Sequence, residues 1–486
     1  MSAEILSLEP KLLWSHFYHL TQIPRPSGHE EAVRTYIVDF ATRLSLEWLV
    51  DEAGNVIVRK PATAGMEHRR GVILQAHFDM VPQKNAGTEH DFAKDPINAV
   101  IDGEWVRARG TTLGADNGIG VAAALAVLES GDLRHGLLEA LFTANEEAGM
   151  TGALGLKPGV LTGEILLNLD SEDEGELFIG CAGGLDGTMR FDYSGEPTPS
   201  GHVALEIRLS GLRGGHSGMD IDLGRGNANK IMNRLLRMGR ERHELRLASI
   251  DGGSLRNAIP RESSALVAVP PSHQMAFLEE LHALAAAIAK ELAEADPGLH
   301  VEASDAALPA TVIEEEVAQR LLDVVEECPN GVHRMSAEMA GLVETSNNLA
   351  RVYSDGRAVS VECLLRSASG EGMRELADLI ASVAERAGTS AAFEHGYPGW
   401  KPNPASPILN CMMEVYRNRF GKAPEIRAVH AGLECGIIGA AYPRLDMISF
   451  GPTIRHPHSP DEKVEWASVE RFWQFLAATL EGIPEP

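Results

Sequence analysis

The sequence predicts an α/β domain assembled from two distant segments of the chain, with a separate α+β domain inserted between them. Three observations point there. From residue 71 to residue 169, short and continuously apolar runs alternate with loops and a helical stretch, the pattern of buried parallel strands joined by crossover helices. After residue 201 the texture changes to period-two alternation and long amphipathic helices. The first texture returns near residue 447, so one sheet draws on both ends of the chain. The boundaries are set at 1–190 for the first segment, 191–395 for the insert and 396–486 for the second segment.

Taken in order, Gly71-Val72-Ile73-Leu74-Gln75-Ala76 is the first apolar run, and Ile119 to Glu129 is an Ala-rich helix. Leu138-Glu139-Ala140-Leu141-Phe142-Thr143 and Glu164-Ile165-Leu166-Leu167-Asn168-Leu169 are the second and third runs. The turn-rich stretch Ser194 to Gly201 separates them from Val203 to Leu209, whose alternation marks a strand with one buried face. Helices follow near Asn227–Arg242, Met275–Glu294, Val312–Glu327 and Glu371–Ala387, as expected of an insert built from two similar halves. The Pro-rich Tyr397 to Pro404 is the return hinge, and Met447-Ile448-Ser449-Phe450, closed by Gly451-Pro452, is the fourth run.

Composition narrows the function classes. At 486 residues the chain is too long for a single core, and 43 basic against 69 acidic side chains leave a net charge of −26. Phosphate contacts require clustered Lys and Arg, so neither a nucleic-acid partner nor an anionic membrane is expected. The N-terminal stretch lacks a signal-peptide pattern and no later run is long and uncharged enough to span a bilayer, so a cytoplasmic protein is expected. The five cysteines are scattered, without zinc-ribbon or redox spacing, and read as small core residues.

Each apolar run ends in a possible metal ligand, at the strand ends where open α/β sheets place their ligands. The first ends in His77, with Asp79 two residues on; the second leads through Ala144-Asn145 to Glu146-Glu147; the third ends in Asp170; the fourth leads to His458. Asp116, in Gly114-Ala115-Asp116-Asn117-Gly118, precedes the Ala-rich helix. Taken singly, each has an ordinary reading as a structural histidine, a helix cap or a solvated glutamate. Their coincidence at corresponding strand ends is what marks a site. Two His and several carboxylates without a thiolate suit two divalent ions, Zn²⁺ with Mn²⁺ or Co²⁺ as alternatives. With Asp116 as bridge, His77 and Asp170 complete one set and Glu147 and His458 the other. Glu146 is left unliganded, placed to act as general base and later as acid.

At these residues the chain resembles the two-zinc metallopeptidases that include aminoacylase, the peptidase cleaving tripeptides and carnosine dipeptidase. The matching stretches are Gln75-Ala76-His77-Phe78-Asp79, Thr111-Thr112-Leu113-Gly114-Ala115-Asp116-Asn117-Gly118, Thr143-Ala144-Asn145-Glu146-Glu147-Ala148-Gly149, Asn168-Leu169-Asp170-Ser171-Glu172 and His458-Ser459-Pro460-Asp461-Glu462. Within the family it looks closest to the bacterial dipeptidases that cleave Xaa-His substrates. The resemblance implies an α/β, mixed-sheet zinc-exopeptidase catalytic domain with an inserted α+β lid, and a cis peptide bond after Asp116. It also implies roles: Asp79 orienting the His77 imidazole, His216 on the lid holding the oxyanion of the tetrahedral intermediate, and Asn257 and Arg366 gripping the substrate carboxylate. Glu434 would meet the substrate's free amine. The implied activity is hydrolysis of unblocked dipeptides such as carnosine and Gly-His by a homodimer. A tripeptidase, a carboxypeptidase, an N-acyl amino acid deacylase and a non-catalytic peptide-binding member stay open at this point.

Overall fold

A computed structural model describes residues 2–485. The chain divides into two compact units. The first comprises 1–180, 402–428 and 433–486, the second 181–401 and 429–432. The expected boundary at 190 lies ten residues late, because Gly183–Asp192 is a strand of the second unit's sheet. Its three glycines and mixed polarity hide it from a pattern search.

The first unit holds an eight-stranded mixed sheet in the order Glu47–Val50, Val56–Lys60, Leu138–Thr143, Val72–His77, Ile165–Asn168, Asp446–Ser449, Glu176–Cys181, Glu425–Val429. The four runs read from sequence are its four central strands, mutually parallel. They read as continuous apolar runs because both faces are covered; every residue of Val72–His77 and Leu138–Thr143 is buried. Register aligns Gln75 with Asn168 and Asn168 with Ser449, so the loops that follow leave from one sheet edge. The helix Ala115–Glu129 packs against the strand Val72–His77 and the helix Lys11–Thr21, and its alanines and glycines permit that close approach. A second, antiparallel sheet joins Ile454–Arg455, Lys463–Glu465, Trp105–Ala108 and Ala99–Asp102. It holds both ends of the loop carrying His458.

The second unit is an antiparallel sheet whose path runs His300–Ala306, Val203–Ser210, Ser263–Val269, Arg246–Gly252, Val343–Ser354, Ala358–Ser367, Gly183–Asp192, Ala391–Tyr397. Along this path each half repeats strand, helix, two strands, helix, strand and orders its strands 4-1-3-2 from its own edge inward, the second half adding Gly331–Met335, which pairs with Val343–Ser354 off the path. The first strand of the second half, Gly183–Asp192, is separated from the rest of that half by the whole first half. The helices Ala228–His243, Pro271–Glu291, Glu315–Glu327 and Gly370–Arg386 build the apolar core with this sheet. Asn227 caps the first of them, accepting hydrogen bonds from the backbone of Asn229 and Lys230. Of the five cysteines, Cys411 is partly exposed and the others are buried, as core residues should be. Among the described residues no helix is long and apolar enough to cross a membrane.

Candidate active site

Five of the expected side chains converge at the carboxyl edge of the first unit's sheet. His77 Nε2 lies 3.2 Å from Asp116 Oδ1 and 3.2 Å from Asp170 Oδ1. His458 Nε2 lies 3.3 Å from Asp116 Oδ2 and 3.0 Å from Glu147 Oε2. Asp116 therefore turns one carboxylate oxygen to each histidine, and two three-residue groups with cation-holding spacing share it: His77, Asp116, Asp170 and Asp116, Glu147, His458. Glu146 lies within the same reach of His77 and Glu147, outside both groups. The Asp116–Asn117 peptide is cis.

The electrostatics fit a cation. Burial works against the charge on His77, yet the carboxylates of Asp170 and Asp116 outweigh it and hold the imidazole well above its ordinary range. Hydrogen bonds donated to the carboxylates of Asp116 and Glu147 push His458 up to about 11. Asp170 is raised to about 6 and Glu146 well above the usual carboxylate range, chiefly by burial. Buried carboxylates packed this closely cost free energy unless positive charge compensates them. The buried Glu147 Oε1 has no hydrogen-bond partner, the state of an oxygen that a cation would satisfy. The donor set, two imidazoles and three carboxylates, suits divalent ions.

Asp79 is wholly buried and acts on four groups at once. Its Oδ1 lies 3.3 Å from His77 Nδ1, which directs the other ring nitrogen toward Asp116 and Asp170. It also accepts the backbone N–H of Glu146 at 3.0 Å and of Glu147 at 3.2 Å, and the Ser27 hydroxyl donates to it at 2.7 Å. One carboxylate thereby ties the His77 loop to the Glu146-Glu147 loop.

The second unit gathers its own cluster. His216 pairs across a short antiparallel bridge with Ala258, and its Nδ1 accepts hydrogen bonds from the backbone N–H of Gly218 and Met219 at 3.1 and 3.0 Å. That fixes the tautomer: the proton of the neutral ring sits on Nε2. Burial and the Arg366 guanidinium both depress the His216 pKa. Arg366 is buried, donating to Ser217 Oγ at 3.1 Å and Tyr397 Oη at 3.3 Å. Asn257 stands on the adjoining turn, its carbonyl accepting the Ser217 N–H at 2.9 Å, but its side chain is exposed. Glu434 offers no surface at all: it is 0% exposed, and its Oε2 accepts hydrogen bonds from Gln75 and Thr143 at 2.6 Å each.

A profile of peptidase family M20/M25/M40 matches residues 73–482. The chain belongs to this family. It is a peptide-bond hydrolase of the M20/M25/M40 group, whose members are dinuclear, metal-dependent peptidases. The cytosol non-specific dipeptidase of Escherichia coli (strain K12) is 45% identical over 482 residues, 99% of each chain. The crystal structure of aminoacylhistidine dipeptidase from Vibrio alginolyticus superposes with a TM-score of 0.93 at 48% identity, covering 100% of both chains. An aminopeptidase from Bacillus cereus, 15% identical with 98% of this chain and 99% of its own covered, shares the fold at a TM-score of 0.56.

Sequence reasoning passed over several groups in this M20/M25/M40 peptidase. Glu462, quoted only as part of a motif, is buried and accepts the N–H groups of four consecutive residues, Leu113 to Asp116, at 2.7 to 3.1 Å. Arg25 is likewise buried among the loops of the site. In the second unit His430 is buried beside Ser346 Oγ, 2.7 Å away. No local signal marks the first two: Arg25 stands between two prolines and Glu462 within the charged run Asp461-Glu462-Lys463.

Proposed function

We propose that this peptidase is a dipeptidase that hydrolyses unblocked dipeptides, Xaa-His substrates such as Gly-His and carnosine prominent among them, and that it works in the cytoplasm. The observation that carries the reading is the Asp116 carboxylate, which presents one oxygen to each of two histidines that a further carboxylate completes. The names of the full-length relatives, a cytosol non-specific dipeptidase and an aminoacylhistidine dipeptidase, support the substrate class and the compartment.

His77, Asp116 and Asp170 would hold one divalent ion, and Asp116, Glu147 and His458 the other, zinc being the best match to this donor set. Such a pair, when bound, supplies Lewis acidity that polarises the scissile carbonyl and acidifies a water. The chain's own residues do the rest. Glu146 takes the proton of the attacking water on its carboxylate and delivers it to the departing amine, one group serving as base and then acid. Asp79 keeps the His77 ring in one orientation while holding the Glu146 backbone. His216, neutral with its proton on Nε2, is the donor for the oxyanion. Arg366, whose planar fork suits a carboxylate, takes the substrate's C-terminus.

The test is hydrolysis of Gly-His and carnosine beside their N-acetylated forms, by the wild-type protein and by Glu146→Gln. Cleavage confined to the free dipeptides, with kcat down roughly 10²- to 10⁴-fold in the variant, is the expected result. Cleavage of the blocked substrates alone moves the protein to the deacylases, and near-normal turnover by Glu146→Gln overturns the mechanism.

A further inference from the structure

We infer that Arg25 is a positioning residue for the metal centre: its buried guanidinium locks the His77 loop to the Asp116 loop and thereby sets how tightly the two cations are held. The inference rests on the metal-centre reading above. Arg25 lies in Ile23-Pro24-Arg25-Pro26-Ser27, shortly after the helix Lys11–Thr21, and is 1% exposed. Its Nη1 donates to the carbonyl oxygens of Phe78 at 3.0 Å and Asp79 at 2.9 Å, and its Nη2 to that of Gly114 at 2.5 Å. Phe78 and Asp79 directly follow His77, and Gly114 stands two residues before Asp116. One planar group thus spans the two loops whose side chains must meet at a shared carboxylate.

Three further observations converge on it. The backbone around Arg25 is fastened to the same loop, since the Met80 N–H donates to the Arg25 carbonyl at 3.1 Å and the Ser27 hydroxyl to Asp79. Room for the guanidinium is provided by glycine: a Cβ on Gly114 would lie 2.5 Å from Nη2, and one on Gly118 2.6 Å from it. On the opposite polarity, Glu462 takes the N–H groups of Leu113 to Asp116. The strand of backbone that delivers Asp116 is therefore held by an anion through its N–H groups and by a cation through a carbonyl. Neither group touches the substrate side of the centre in its hydrogen bonds; both act on main chain.

Geometry and charge make opposite demands on the outcome. Removing a positive charge near Asp116 favours cation binding, whereas releasing the loops disfavours it. Arg25→Lys separates them, because lysine keeps the charge and loses the three-way fork. The measurement is a zinc-binding isotherm, by competition with a chromophoric chelator, on wild-type and Arg25→Lys protein whose fold is checked by circular dichroism, with thermal unfolding recorded metal-free and zinc-loaded. Zinc affinity lower by about 10- to 100-fold, the range for residues that orient ligands, together with a smaller zinc-induced rise in Tm, is expected. Should Arg25→Lys fail to fold, Gly118→Ala, which crowds the guanidinium without removing it, is expected to weaken zinc binding in the same sense. Wild-type affinity in the folded variant, or a lowered metal-free Tm with an unchanged zinc increment, assigns Arg25 to the scaffold alone and overturns the inference. Asp116→Asn serves as the control: if it binds two ions as the wild type does, the metal-centre reading itself falls.

Discussion

The two units each gather histidines, and electrostatically the two gatherings are opposites. In the first, His77 and His458 are surrounded by Asp116, Glu147 and Asp170, which raise both imidazoles above their ordinary pKa, His458 to about 11. In the second, burial and the Arg366 guanidinium hold His216 and His430 down, His430 to about 3. The same side chain is thus drawn toward the imidazolium in one place and kept neutral in the other. The two environments suit guests of opposite charge. A nest of carboxylates that stabilises positive charge suits a cation, while a buried arginine beside a neutral imidazole is consistent with the role proposed for Arg366 and His216 in receiving anionic oxygens.

Removing the neutral donor is the harshest way to break this comparison. His216→Ala should lower kcat by roughly 10²- to 10³-fold with KM little changed, because an oxyanion donor acts in the transition state and contributes little to ground-state binding. Steady-state kinetics on Gly-His with the variant loaded with zinc makes the check. A change confined to KM would instead place His216 among the groups that bind substrate.

A smaller effect sharpens it. His430 is neutral in the folded protein, its pKa near 3 against about 6.5 in an unfolded chain. The unfolded state therefore binds more protons below pH 6.5, so this residue's contribution is full above that pH and is lost as pH falls toward 3. His430→Gln, which can still bond Ser346, removes the dependence. The difference in unfolding free energy between wild type and variant should be flat above pH 6.5 and shift against the wild type by at most about 1.4 kcal/mol per pH unit below it. Denaturant titrations at several pH values test this, and a difference that stays flat to pH 4 would contradict the buried, neutral assignment.

How far the sequence discloses these regions follows the same divide. The four central strands are legible because parallel strands buried on both faces must be continuously apolar, and His77, Glu147, Asp170 and His458 are legible because each follows such a run. Asp116 is found from its place before an Ala-rich helix. Arg25 and Glu462 are not legible, since they bond main-chain atoms 89 and about 350 residues away, and such contacts leave no period in the sequence. The second unit is harder still. Its first strand, Gly183–Asp192, carries too little apolar character to be separated from the preceding segment. Arg366 is a charged residue within a strand buried along its whole length, which pattern alone cannot tell from a salt bridge. Glu434, which the family resemblance brings to the substrate's free amine, is enclosed by Gln75 and Thr143, because the helix it opens, Glu434–Ala441, is buried over its first turns.

Asp116 is the residue proposed to join two cation sites into one hydrolytic centre. The most direct test of that role is the metal content and Gly-His hydrolysis of the same purified preparation, before chelation, after it, and after stepwise return of zinc, for the wild type and Asp116→Asn. Two ions per chain with activity lost and regained alongside them, and fewer than two ions with no restored activity in Asp116→Asn, is the expected result. Full hydrolysis by metal-free wild-type protein, or two tightly held ions in an active Asp116→Asn, would contradict it.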